Sequence, residues 1–155
     1  MKFKESQIGW FGIIILTGVI TMTYLSYLYQ WGTNPISKIP CIIISAISFI
    51  TFLLFFQMRT TVDENLIQIT YGIGIIKKKI QMENIQQVEA VRNKWYYGLG
   101  IRWSWKGWLY NIQGLSAVEL KFKNSTSNIR IGTADNVKLK EEIEKRIRND
   151  RSNDI

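Results

Sequence analysis

The residues best equipped for chemistry at a surface lie between positions 92 and 112, RNKWYYGLGIRWSWKGWLYNI. This stretch holds four of the chain's six tryptophans, three tyrosines and four basic residues, with no acid among them. Aromatics interleaved with Arg and Lys can stack on nucleic acid bases, sit at a membrane–water interface, or fill a core. A second basic group, Lys77, Lys78 and Lys79, stands in IIKKKI. Arg102, Trp103, Trp105, Lys106, Trp108, Lys77, Lys78 and Lys79 are the candidate residues for contact with a membrane or a protein partner.

Catalytic chemistry has little to work with. The chain contains no histidine, the commonest general base and metal ligand, and its one thiol, Cys41, lies in an apolar run. A Cys-based zinc site or thiol nucleophile is therefore not expected, nor any cofactor. Asp63 and Glu64 are adjacent, but neighbours along an extended chain point apart. YGIGI, with Gly72 and Gly74, lacks the third glycine and the following helix of a dinucleotide loop and reads as a turn. The expectation is a protein that is not an enzyme. Nucleic acid would call for an extended basic groove or a known motif, and neither is visible.

The elements that must position the candidates begin with two uncharged runs, one between Glu5 and Lys38 and one between Lys38 and Arg59. Crossing about 30 Å of hydrocarbon takes about 20 apolar residues at 1.5 Å each. Residues 8–29 and 39–58 read as two transmembrane helices, joined by QWGTNPISKIP, whose Gly32, Asn34, Pro35 and Pro40 suit a turn. A cleaved signal peptide fits poorly, because the apolar core is too long and a second span follows directly. Lys2, Lys4, Arg59 and Lys77, Lys78 and Lys79 flank one side of this hairpin against Lys38 on the other, so both termini are expected in the cytoplasm, at the inner membrane. Cys41, Ser45 and Ser48 form a small-residue stripe that lets two membrane helices approach, with Thr17, Gly18 and Thr21 as a possible facing stripe.

From Thr60 the apolar period changes to two, the signature of strands. Ile67, Ile69 and Tyr71 alternate with polar residues, and IIKKKI and IQQVEAV add two more strands. In AVELKFK, Val118, Leu120 and Phe122 point one way and Glu119, Lys121 and Lys123 the other. NSTSN, residues 124–128, reads as a turn before Ile129, Ile131 and Thr133. Counting two strands in the aromatic segment, about seven strands are expected, a number that suits a small barrel or sandwich. Asp135 can cap a final helix whose apolar stripe is Leu139, Ile143 and Ile147, with acid-before-base pairs Glu141–Lys145, Glu142–Arg146 and Glu144–Arg148 on its solvated side. Residues 149–155 read as a polar, fraying tail. The chain thus divides into a helical hairpin, 1–59, a β-rich domain, 60–148, and that tail.

The aromatic segment then reads as a β-hairpin. With Lys106 and Gly107 as its turn, Trp105 faces Trp108, Trp103 faces Tyr110 and Ile101 faces Ile112. One face is wholly apolar and the other carries Arg102, Ser104, Leu109 and Asn111. Ile101, Trp103, Tyr110 and Ile112 are expected in the core, with Trp105, Lys106 and Trp108 projecting at the tip.

Short strands closed by one amphipathic helix, behind a membrane hairpin, resemble the bacterial pleckstrin-homology-like (PH-like) domains of small membrane proteins. VRNKWYYGLGIR, GWLYNIQGLSAVEL and IRIGTADN carry the resemblance, which covers residues 60–148. Ser116 stands where the family would have an acid, and Asn136 near where it would have a proline. The resemblance implies a partly open antiparallel barrel capped by a helix and used for binding or assembly, and it implies no substrate. The soluble part carries sixteen Lys and Arg against eleven Asp and Glu. Its expected role is a membrane-anchored binding or scaffold module touching anionic inner-leaflet lipid, a protein partner or a second copy of itself. An assembly subunit with no lipid recognition is the alternative.

Overall fold

The computed structural model describes residues 2–104, 107–123 and 125–153. Two helices, α1 (Trp10–Tyr29) and α2 (Lys38–Phe55), are long and apolar enough to cross a membrane. Helix α1 ends where Gln30 turns left-handed, at φ 52°, and Trp31 N–H reaches back to the Ser26 carbonyl at 3.3 Å. Pro40 sits in the first turn of α2, where its missing N–H costs no helical bond. The helices meet along Cys41, Ser45 and Ser48, the most enclosed positions of α2 in that stretch, with Cys41 Sγ at 4.0 Å from the Thr23 carbonyl. The facing stripe is not the expected one. Thr17, Gly18 and Thr21 are exposed, and Leu16, Ile20 and Thr23 turn inward instead. Larger side chains at 16 and 20 can fit because their partners on α2 are small.

The chain enters and leaves this pair of helices as two neighbouring strands. β1 (Phe3–Ile8) precedes α1 and β2 (Gln57–Val62) follows α2, paired antiparallel from Phe3 opposite Val62 to Ile8 opposite Gln57. Gly9 N–H continues the ladder to the Phe56 carbonyl at 2.9 Å. Sequence alternation does not reveal either strand. β1 is an edge strand of mostly polar residues, and β2 begins inside the apolar run read as the second helix, which in the structure stops at Phe55. The sheet runs β1-β2-β3-β4, with β3 (Leu66–Tyr71) and β4 (Ile76–Gln81).

The second sheet has the order β5-β8-β9-β7-β6. Its strands are β5 (Ile85–Arg92), β6 (Gly100–Ser104), β7 (Gly107–Asn111), β8 (Ser116–Phe122) and β9 (Ser125–Gly132). Residues 125–128, expected in a turn, therefore open β9, and Phe122 pairs with Ser125. The strands form two sheets and not a closed barrel. The seven strands read from sequence are β3 to β9.

Between the sheets lies one core, built from Met58, Val62, Ile67, Ile69 and Tyr71 on one side and Val118, Leu120, Ile129 and Ile131 on the other. Helix α3 (Asn136–Asn153) covers it over β5 and β8 with Leu139 and Ile143, both fully buried, and Ile147 partly so. Asp135 caps it as expected, its Oδ1 accepting from Lys138 N–H at 3.0 Å. The helix runs on past Asn149, through four residues expected to fray. Glu5 of β1 accepts from Thr133 Oγ1 at 2.6 Å and from Ala134 N–H at 2.7 Å, which ties the first strand to the entry of the last helix.

Candidate functional site

The aromatic segment forms the expected hairpin in a different register. Trp103 lies opposite Trp108, Arg102 opposite Leu109 and Ile101 opposite Tyr110. β6 ends at Ser104, and Gly107, expected in the turn, belongs to β7. The reason is the neighbour. β7 runs parallel to β9, and a Cβ at Gly107 would overlap the Asn128 backbone, so only glycine allows the approach. A register change of two keeps each residue on its face. Trp105 and Lys106 lie outside the described residues.

Burial departs further from expectation. Tyr110 and Ile112 are in the core and Ile101 packs against it, but Trp103 is 62% exposed. The hairpin is longer than the core it flanks, and Trp103 and Trp108 overhang its end, edge to face with centroids 5.2 Å apart. Leu109 and Asn111, expected on the outer face, are buried. The connection from β5 to β6 folds over that face: Tyr97, in a short turn at Trp95–Tyr97, lies 5.7 Å from the Arg130 guanidinium, which itself pairs with buried Glu119. On the same connection Trp95 and Tyr96 stay exposed, and Lys94 sits 5.6 Å over the Tyr96 ring.

The base of the hairpin adjoins the helices. A Cβ at Gly9 would press on Ile112, and an open cleft of about 420 Å³ lies between the first turns of α1 (Gly12, Ile15, Leu16), the end of α2 (Thr51, Phe55) and β6 (Gly100, Ile101, Arg102). Arg102 is the one charged residue in its lining. Its Nε donates to the Leu99 carbonyl at 3.0 Å, and no acid among the described residues pairs with it. Trp103 follows Arg102 directly in β6, about 3.3 Å further along the strand and on its opposite face.

Lys77, Lys78 and Lys79 lie on β4, an edge strand of the other sheet, and are not brought together with the tryptophans. All three are exposed. The turn that leads into them is the one expected at Gly72 and Gly74, and its attachment to α2 is what the sequence does not show. Gly72 N–H donates to the Gln57 carbonyl at 2.7 Å and Ile73 N–H to the Leu53 carbonyl at 3.2 Å, so the turn is fastened to the start of β2 and to the last turn of α2. Gly72 has φ 52°, and a Cβ there would overlap the Leu53 carbonyl oxygen. Beside that helix end, Ile73 and Ile75 are 58% and 69% exposed. The signal in the sequence was two isoleucines beside glycines in a turn, where polar residues are the norm.

No protein-family model, curated protein or solved structure matches this chain, so its function has to be argued from this geometry.

Proposed function

We propose that the protein is a non-catalytic, membrane-anchored module whose β-domain lies against the inner leaflet and contacts anionic lipid. The observation that carries this is the β3–β4 turn. Ile73, bonded through its N–H to Leu53 of a helix whose own surface is almost wholly apolar, stands exposed, and so does Ile75 two residues on. Exposed isoleucines there are costly in water and favourable in the apolar edge of a bilayer. Two and four residues beyond Ile75, Lys77 and Lys79 then reach headgroup height, where each cation near anionic lipid contributes about 1 kcal/mol.

Several features agree. Trp10 marks one end of α1, and Tyr29 stacked on Trp31 at 6.0 Å marks the other, about 30 Å away at 1.5 Å per residue, as interfacial aromatics do. Pairing of β1 with β2 holds Lys2, Lys4 and Arg59 on the domain side of the helices, against Lys38 alone opposite. That asymmetry supports a cytoplasmic domain. With the β6–β7 hairpin set aside, seven strands remain, β1 to β4 and β5-β8-β9, followed by α3, in keeping with the PH-like resemblance.

Depth measurement tests this reading. In a Cys41→Ser background, a nitroxide at Ile75→Cys in reconstituted bilayers should report the headgroup–acyl boundary, while one at exposed Glu83→Cys reports water. Equal water access at both positions would sink the proposal.

A second reading, assembly with a protein partner or a second copy, rests on the exposed Trp103–Trp108 pair beside β6, an edge strand with unpaired backbone groups. Trp103→Ala with Trp108→Ala should then abolish a stable complex recovered from detergent-solubilised membranes and leave lipid association unchanged.

A further inference from the structure

We propose that the cleft between α1, α2 and β6 holds one anionic phospholipid, an acyl chain lying along Gly12, Ile15, Leu16 and Thr51 and the phosphate meeting Arg102. The proposal rests on the membrane reading above and names a ligand for it. Shape comes first. The cleft, about 420 Å³, falls within the range of small-molecule sites. It exists because position 12 is glycine, with no atom within 4 Å of where a Cβ would stand.

Depth and charge choose the occupant. Leu16 lies six residues from Trp10, about 9 Å along the helix. The cleft therefore descends through much of one leaflet, whose hydrocarbon is about 15 Å deep. Apart from Arg102, the lining offers one polar side chain, Thr51, so water gains few hydrogen bonds there. A neighbouring acyl chain is the apolar filler at hand. Arg102 is exposed, held by its Nε to the Leu99 carbonyl, and its terminal nitrogens remain for a ligand. A guanidinium so placed grips a phosphate through paired hydrogen bonds.

The test uses the full chain released from nanodiscs that contain equal phosphatidylglycerol and phosphatidylcholine, observed by native mass spectrometry. The wild type should keep one lipid, with the anionic species preferred roughly tenfold. Gly12→Leu, whose Cβ has open space and whose side chain occupies the cleft, improves the helix and should lose that lipid while its circular dichroism and melting show no loss of fold. Arg102→Gln should keep a lipid and lose the headgroup preference. Retention in Gly12→Leu equal to the wild type would overturn the proposal, as would a lipid-free wild-type dimer. Either result would leave the depth of Ile75 untouched, so failure of the cleft is separable from failure of the membrane reading.

Discussion

Tyr71 sits where α2 meets both sheets, its ring 5.8 Å edge-on to Phe55 and 6.5 Å from Tyr110, with no hydrogen-bond partner for its buried hydroxyl. Burial pushes its ionisation well above the ordinary value of about 10. The unfolded chain therefore releases this proton first, and stability present below pH 10 is lost as pH rises further. Tyr71→Phe removes the orphan hydroxyl, so it should raise stability by about 1 kcal/mol and shift alkaline unfolding upward, both readable from melting curves between pH 8 and 11. Gly72→Ala, one residue on, should cost more than 2 kcal/mol, through the positive φ and the clash with Leu53. Sequence marked Tyr71 as inward-facing and Gly72 as a turn. It could not show that the turn abuts a helix, because that contact joins parts of the chain nearly twenty residues apart.

Among the elements, α3 was the most legible, since cap and stripe agreed; of the expected acid-before-base pairs Glu142–Arg146 forms, while Glu144 pairs instead with Lys140, one turn before it. Ile143 is fully buried, and Ile143→Asp should unfold the domain by placing an unpaired carboxylate in the core, seen as loss of the cooperative thermal transition. Arg146, expected on the solvated side but buried in the structure, donates to the half-exposed Glu142 at 2.6 Å, and that hydrogen bond lowers the Glu142 pKa below its usual 4.5. This contribution is present above pH 4.5 and fades as pH falls through the lower folded value. Melting from pH 6 to 3 should accordingly fall less steeply in Glu142→Gln than in the wild type. β1 was the least legible element, because an edge strand of FKESQI carries almost no apolar alternation. Its Glu5 receives two hydrogen bonds from the start of the last helix, and Glu5→Ala should cost about 1–3 kcal/mol in thermal stability.

At the scale of the whole molecule, the helical hairpin is an insertion between two paired strands. The ladder from Phe3 to Gly9 against Phe56 to Val62 leaves no free linker between helices and sheet, so a tilt of one must move the other. A fragment starting at Thr60 lacks β1 and the first half of β2, and the expectation of a self-sufficient domain there changes accordingly. That fragment should show no cooperative melting, whereas the full chain in detergent should. Reporters fused after Ile155 and inserted at Asn34 should be active on opposite sides of the membrane, the first in the cytoplasm; activity of both on one side would contradict the hairpin.

Period and composition alone determined two apolar helices, strands β3 to β9, the capped final helix and the inward set Ile67, Ile69, Tyr71, Val118 and Leu120. These are local properties, written every two or every three to four residues. Tertiary structure decided that the strands form two sheets, that Gly107 serves a parallel neighbour and not a turn, and that Trp103 overhangs the core while Leu109 lies within it. It also decided where the cleft lies. Each of those depends on which distant segment covers a face, and alternation records that a residue has a side without recording what stands there.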